Sequence, residues 1–181
     1  MHTAWGDESL KNGVYLIGAV VADDGDAEGI RSAMQSLLLP GQRKLHWHKE
    51  SRGRREQICD ALAMLPVAGL VVVRSNTKDA QERNRRKCLQ RLCWELSGCD
   101  AVILESRGRA DDARDLHLIE SLRLQRIVSP SLRLLHTPGS NDAALWAADA
   151  LCGAALLHWF HDGTPLKTIR SGTDVRLCVT D

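Results

Sequence analysis

The chain has 181 residues, of which 44% are hydrophobic and 26% are charged, and its formal net charge is +1. These values are close to those of an average globular domain, which excludes a disordered, collagen-like or coiled-coil protein. Its apolar runs are far shorter than the roughly 20 residues that span a membrane, and its first residues have no signal-peptide pattern. We therefore expect a cytoplasmic protein without a membrane partner, built as one domain with a core over about residues 4–160 and a tail over 161–181.

Two basic segments stand out against the near-neutral net charge. Residues 43–55 carry six basic residues against Glu50, and residues 74–91 carry seven against Asp79 and Glu82. Blocks of this kind form phosphate-binding surfaces or ordinary solvated helix faces, and the sequence does not show whether the two blocks meet in space.

The six cysteines contain no C-x-x-C pair and no zinc-finger spacing. In a chain without an export signal they are expected to be reduced and mostly buried thiols. They are Cys59, Cys88, Cys93, Cys99, Cys152 and Cys178.

Two apolar segments joined by a tight-turn signal begin the predicted fold. Residues 4–10 form a short opening strand in this prediction, and residues 14–22 are rich in the β-branched side chains of a buried strand. Asn12 and Gly13 between them are a strong hairpin signal, so the two strands are expected to pair antiparallel.

Helices and strands alternate along the rest of the chain. Asp26, Thr77 and Asp142 are candidate N-caps for three of the helices. The order predicts an α/β fold whose mixed sheet has an antiparallel start and a parallel continuation and is flanked by helices. Predicted helices cover about residues 27–39, 54–65, 78–96, 111–127 and 143–160, and predicted strands cover 68–74, 101–105, 131–135 and, as an edge strand or a loose tail, 175–179.

Three acidic residues interrupt apolar elements, where an unpaired charge is costly. Asp7 lies in the opening strand with Glu8 beside it. Glu105 ends a buried strand, and Asp149 lies inside the apolar last helix. An ionised carboxylate at such a position needs a partner, a raised pKa or a metal. Carboxylates that converge at strand ends suit Mg²⁺ or Mn²⁺, and two such ions can activate water for phosphodiester cleavage.

Each of the three acids also has an ordinary structural explanation. Asp7 could lie in the approach to the hairpin turn, Glu105 could mark where its strand emerges into water, and Asp149 could pair with an arginine. The metal hypothesis therefore requires the three carboxyl groups to share an open groove. It fails if they lie on opposite sides of the molecule or if one of them is buried in a salt bridge.

Two histidines alternate in the segment 44–50. If the segment is extended, His46 and His48 share one side and Trp47 faces the core. The pair can serve as metal ligand, phosphate contact or general acid, or it can be an ordinary surface pair. Glu50 is a possible fourth acid in the same segment.

Several motifs occur in a recognisable order along residues 4–160. They are Asp7-Glu8-Ser9 on the first strand, the Lys- and His-bearing segment 44–50, Glu105 at the end of a middle strand, and Ala148-Asp149-Ala150-Leu151-Cys152-Gly153-Ala154 on the last helix. Together they resemble a large bacterial family of domains of unknown function with a ribonuclease H-like fold. The segments 40–47 and 104–107 look more closely like actinobacterial proteins of this kind. Two positions depart from the family pattern: Leu145 or Trp146 replaces the usual glutamine, and Glu105 stands where aspartate is commoner.

The resemblance implies a ribonuclease H-like fold and a site for Mg²⁺ or Mn²⁺. It implies Asp7, Glu105 and Asp149 as catalytic carboxylates and metal ligands, with Glu8 as a further ligand and His48 as a supporting catalytic residue. The expected function is a metal-dependent nuclease acting on RNA or DNA. The alternatives are a non-catalytic module that binds protein or nucleic acid, and an enzyme acting on a small phosphorylated substrate. The candidate contacts to nucleic acid are Lys44, His46, Arg52, Arg55 and Arg86.

Overall fold

A mixed β-sheet forms the centre of the molecule. The computed structural model describes residues 1–75 and 78–181, and within these ranges six strands form one sheet in the order β5-β4-β1-β2-β3-β6. Strands β1, β2 and β3 pair antiparallel, β4 and β5 continue parallel to β1, and β6 lies parallel to β3. The chain is therefore an α/β protein with a ribonuclease H-like sheet, as predicted. The strands are β1 (His2–Lys11), β2 (Val14–Asp23), β3 (Ala68–Arg74), β4 (Ala101–Glu105), β5 (Arg133–Thr137) and β6 (Asp174–Val179).

Helices cover both faces of the sheet. One face carries α1, α2, α5 and α6, and the other carries α3 and α4, so each face has its own hydrophobic core. A short 3-10 turn, Trp47–Lys49, precedes α2, and another, Asp24–Asp26, precedes α1. The helices are α1 (Ala27–Ser36), α2 (Arg52–Ala63), α3 (Gln81–Glu95), α4 (Arg109–Leu124), α5 (Ala144–Trp159) and α6 (Thr164–Arg170).

Strand alternation assigns neighbouring residues of β1 to different cores. Trp5 packs into the core beneath α5, whereas Ala4 packs into the core beneath α3 and α4. The β1–β2 register follows from the hairpin turn, where Asn12 and Gly13 have φ of 48° and 76°. Positive φ at both central residues is what a tight two-residue hairpin requires, so the predicted hairpin is confirmed.

The C-terminal segment differs most from the prediction. Residues 164–170 form the unpredicted helix α6, whose Leu166 and Ile169 are buried in the core with α2 and α5. The chain then adds β6 to the edge of the sheet beside β3. The tail is thus part of the packed structure, because its apolar residues at helical spacing pack against α2 and α5.

Smaller differences concern helix and strand ends. Helix α4 begins at Arg109 rather than 111, and β5 is shifted two residues toward the C-terminus. Asp26 precedes α1 without a side-chain capping bond, whereas Asp142 accepts a hydrogen bond from the Ala144 amide at 3.1 Å. The predicted cap at Thr77 lies outside the described residues.

All six cysteines are free thiols, and five of them are buried, as expected. Among residues 1–75 and 78–181, none of the helices combines the length and the apolar character that crossing a bilayer demands.

Candidate functional site

All four predicted carboxylates line one cavity, and three of them meet there from distant parts of the chain. Gly6 of β1 and Leu104 of β4 are paired neighbours in the parallel part of the sheet, and each is followed at once by an acidic residue, Asp7 and Glu105. Helix α5 crosses the same face and adds Asp149. The cavity that they share has a volume of about 280 Å³, and we call it the carboxylate cavity. Side chains from the beginning, middle and end of the chain thus meet where the parallel pairing of β1 with β4 ends.

Close packing brings α5 against β1 at this point. Gly18 is the register partner of Asp7 on β2, and a Cβ at Gly18 would lie 2.7 Å from the Cys152 sulfur of α5. The Cys152 thiol donates to the Asp7 carbonyl oxygen at 3.2 Å. A glycine on β2 therefore allows the helix to approach closely enough for Asp149 to reach the cavity.

Trp47 connects the short 3-10 turn to α5. A Cβ at Gly153 would overlap the Trp47 ring, so the absence of a side chain there makes room for the indole. The Trp47 amide donates to Asp149 Oδ2 at 3.0 Å. His46 and His48 flank the buried tryptophan, and their ring centroids lie 5.7 Å apart. Both histidines line the carboxylate cavity, although the backbone between them forms a 3-10 turn and is not extended.

Lys44 forms an ion pair with Glu105 at the wall of the cavity. Its Nζ lies 2.5 Å from each carboxylate oxygen of Glu105. The side chains retain 13% and 28% of their full exposure, so the pair is partly open to the cavity and is not sealed in the core. Gly139 covers the pair, and a Cβ there would come within 2.6 Å of the Glu105 carboxyl carbon. Of the three acids, Glu105 is the one that already has a cation.

Asp7 has the most perturbed carboxyl group of the site. Burial raises its pKa to about 8, and the negative charges of Asp149 and Glu105 act in the same direction. The Glu8 amide donates to Asp7 Oδ1 at 2.8 Å, and this bond and the Lys44 charge lower the pKa only in part. Within the described part of the chain, no lysine, arginine or histidine forms a salt bridge with Asp7. At neutral pH the carboxyl group therefore stays largely protonated unless a cation approaches it.

Asp149 and His46 influence each other across the cavity. Burial raises the pKa of Asp149, while the Trp47 amide and the Lys44 charge oppose the rise. Burial and Lys44 lower the pKa of His46, with Asp149 acting in the opposite direction. His46 is consequently neutral at pH 7 and has a ring nitrogen available to accept a proton.

The donor set fits a hard divalent cation, with one condition. Asp7 and Asp149 supply anionic oxygen ligands, and Asp7 lacks a compensating charge. As the side chains stand, however, no group of three or more His, Cys, Asp and Glu residues in 1–75 and 78–181 is close enough to hold a metal ion. A third ligand from Glu105 becomes available only when Lys44 releases it.

Glu8, a predicted ligand, is held in a different network on the opposite face of β1. Its carboxylate accepts from the Tyr15 hydroxyl and forms an ion pair with Arg85 at 2.6 Å. Arg85 also makes three hydrogen bonds of 2.7–3.2 Å to Asp115, and Asp115 is 3.0 Å from His136 Nε2. These contacts already satisfy Glu8, which differs from the expectation that it would be free to bind a metal.

The predicted nucleic-acid contacts are scattered. Lys44 and His46 lie in the cavity, whereas Arg55 packs over the Trp47 ring at 5.3 Å. Arg52 is exposed and pairs with Glu56. Arg86 is exposed on α3, across the sheet from α2, and so does not share a surface with Arg52 and Arg55.

Several residues at the site were not singled out from the sequence. Arg85 and Arg107 both line the carboxylate cavity, and Gly139 and Gly153 shape it. A signal existed for Arg85, because it precedes Cys88 by three residues and Leu92 by seven and so lies in phase with the apolar face of α3. The glycines gave no such signal, since their role depends on contacts between distant segments.

Comparison with known proteins gave no match, either to a family model or to a curated protein. The site is therefore interpreted from its own geometry and chemistry.

Proposed function

We propose that the chain is a divalent-metal-dependent nuclease that hydrolyses phosphodiester bonds of RNA or DNA. The observation that carries the proposal is Asp7, a buried carboxyl group whose pKa is raised to about 8, in part by Asp149 and Glu105 in the same cavity. A protein that needed this group only for structure would be expected to give it a cation, as it does for Asp115. The resemblance of Asp7-Glu8-Ser9 and the α5 motif to a ribonuclease H-like family supports the same conclusion.

Asp7 and Asp149 would hold Mg²⁺ or Mn²⁺, with Glu105 as the third ligand after Lys44 has moved. The bound ion would lower the pKa of a coordinated water and neutralise charge on the phosphate. The chain's own groups have separate tasks. Asp149 is oriented by the Trp47 amide, and the released Lys44 ammonium would pair with a non-bridging phosphate oxygen.

The neutral ring of His46 is suited to accept a proton from the attacking water or to bind the phosphate. His48, next to it, is exposed and lies at the entrance of the cavity. These two histidines are the only ones among the described residues that line this cavity. They are therefore the candidates for proton transfer.

Cleavage assays with two isosteric variants test the proposal. Labelled single- and double-stranded RNA and DNA are incubated with Mn²⁺, with Mg²⁺ or with EDTA. We expect metal-dependent cleavage, reduced at least about 100-fold in Asp7→Asn and Asp149→Asn, since loss of even an outer partner of a metal site typically costs 10–100-fold. Asp60→Asn, which changes an exposed acid on α2, is the matched control. Full activity in both site variants contradicts the proposal.

One observation favours the alternative of a non-catalytic binding module. Lys44 already forms an ion pair with Glu105, and no three potential metal ligands lie close enough together among the described residues to hold an ion. Fold alone does not establish chemistry. Calorimetric titration with Mn²⁺ separates the two functions, because the nuclease must bind the ion below millimolar concentration and the module need not bind it at all.

A further inference from the structure

A second cavity adjoins the carboxylate cavity and has a different character. Its volume is about 360 Å³, within the usual range for small-ligand sites. Four residues line both cavities, so the two lie side by side. They are Glu8, Ser9, His48 and Asp149. We call the second cavity the Phe160 groove, after the ring at its outer end.

The Phe160 groove has apolar walls at one part and polar groups where it meets the carboxylate cavity, and two cations lie at its edges. Leu10 from β1, Leu156 from α5 and Phe160, which directly follows α5, supply the apolar walls. Two cations lie over aromatic rings at its edges, with Lys11 Nζ 5.9 Å from the Phe160 centroid and the Arg55 guanidinium 5.3 Å from that of Trp47. Apolar walls beside positive charge complement a flat, uncharged ring attached to phosphates.

We infer that the Phe160 groove binds the unpaired nucleobase next to the phosphate that is cleaved, which makes single-stranded nucleic acid the substrate. The inference rests on the proposed function for the position of the phosphate at Asp149. Because the groove adjoins the carboxylate cavity, it lies where the neighbouring nucleotide would be placed. Its base would stack on Phe160 between the leucine walls, and its next phosphate would lie at the rim near Lys11 or Arg55.

Stacking of a base on Phe160 is stronger than the contact that Lys11 makes with the ring. The contact between Lys11 and Phe160 involves an exposed lysine, and exposed cation–π contacts are weaker than the stacking of a base on an aromatic ring. A base can therefore displace the lysine from the ring, and the released ammonium is then free to bind a phosphate. A base inside a duplex has both faces covered by its neighbours and cannot enter the groove.

Binding measurements without metal test the groove separately from catalysis. A fluorescein-labelled single strand and its duplex form are titrated with the full chain in EDTA, and fluorescence anisotropy reports the affinity. We expect the single strand to bind at least about 10-fold more tightly than the duplex. Phe160→Leu should weaken single-strand binding about 10-fold, and Phe160→Tyr, which keeps the ring, should restore it.

Trp94→Leu is the matched control. Trp94 is also an exposed aromatic residue with a cation over its ring, Arg91 at 4.9 Å, but it lies on α3 across the sheet. Equal effects of Phe160→Leu and Trp94→Leu, equal binding of duplex, or no binding of either nucleic acid overturns the inference. Metal-dependent cleavage that persists unchanged in Phe160→Leu refutes the groove and leaves the nuclease. Phe160-dependent binding without any cleavage supports the groove and refutes the nuclease.

Discussion

Two charged clusters lie back to back across β1, and adjacent residues belong to different ones. Asp7 faces α5, where burial and neighbouring acids raise its pKa to about 8. Glu8 faces α3, where Arg85 joins it to Asp115, a buried acid. Hydrogen bonds from His136 and Arg85 outweigh burial there and hold the pKa of Asp115 at about 2. Burial alone therefore does not decide the state of a carboxyl group in this protein, because the partner charge does.

The difference separates a structural cluster from one that can bind a ligand. The Arg85 cluster consists of Glu8, Arg85, Asp115 and His136. Its charges are compensated, since both acids have guanidinium or imidazole partners within hydrogen-bonding distance. The Asp7 cluster consists of Asp7, Glu105, Asp149 and Lys44. It is short of positive charge, because Lys44 forms its ion pair with Glu105. A cluster of the first kind loses stability when one member is removed, whereas a cluster of the second kind gains from an added cation.

The largest expected effect is loss of the Arg85 cluster. Arg85→Met leaves the buried Asp115 and the half-buried Glu8 without their guanidinium, which should lower the free energy of unfolding by about 3–5 kcal/mol. Urea unfolding at pH 7 measures it. Arg86→Met removes the same charge from the exposed neighbour and should change stability by less than about 0.5 kcal/mol. Similar losses in the two variants would contradict the comparison.

The two clusters should respond to pH with opposite signs. The folded pKa of Asp7 is above the ordinary 3.8, so in EDTA its contribution to stability is present below that value and is lost as the pH rises to about 8. Wild type should therefore lose stability relative to Asp7→Asn over this interval. The folded pKa of Asp115 is below 3.8, so its contribution is present above that value and is lost as the pH falls toward 2. Wild type should lose about 2 kcal/mol relative to Asp115→Asn in that direction.

A smaller effect is expected where Trp47 meets α5. Gly153→Ala places a methyl group in the space of the indole and should cost about 1–3 kcal/mol, as overpacking does in other cores. Gly29→Ala in α1, which meets no atom within 4 Å, should instead stabilise the protein by about 0.5–1 kcal/mol. Thermal unfolding of the two variants measures the contrast. A neutral Gly153→Ala would mean that Trp47 can move without disturbing the site.

The smallest effect concerns the cation of the Asp7 cluster. Lys44→Met removes the competitor for Glu105, so Mn²⁺ should bind about 10-fold more tightly, or ~1.4 kcal/mol, even though cleavage is expected to fall. Calorimetry measures the affinity. Lys49→Met is the control, because Lys49 is exposed and forms no ion pair within the described residues. Unchanged or weaker Mn²⁺ binding in Lys44→Met argues against competition between the lysine and a metal.

The sheet and the three acids were predictable from local patterns. Runs of β-branched residues identify β2 and β3, and the turn at Asn12 and Gly13 fixes how β1 pairs. Charged residues in otherwise apolar elements mark Asp7 and Asp149 because such positions are costly. These signals depend on the residue and its immediate neighbours, which a single sequence contains.

The partners of the acids were not predictable in the same way. Lys44 reaches Glu105 from a loop 61 positions away, and Trp47 reaches Asp149 across 102. Asp115 was hidden inside a polar helix, although its phase with Ile119 and Leu122 marks it as buried. Which cation meets which acid depends on packing between distant segments, and local periodicity does not report it.

The hairpin at Asn12 and Gly13 gives the molecule a distant point of vulnerability. Slippage of β1 by one residue would turn Asp7 toward α3 and Glu8 toward α5. The left-handed backbone of the turn keeps β1 in its observed register with β2. The turn is separated from Asp7 by about 17 Å of extended chain. A bulky β-branched residue in place of Gly13 would thus misplace Asp7 and Glu8, although every side chain of the site remained unchanged.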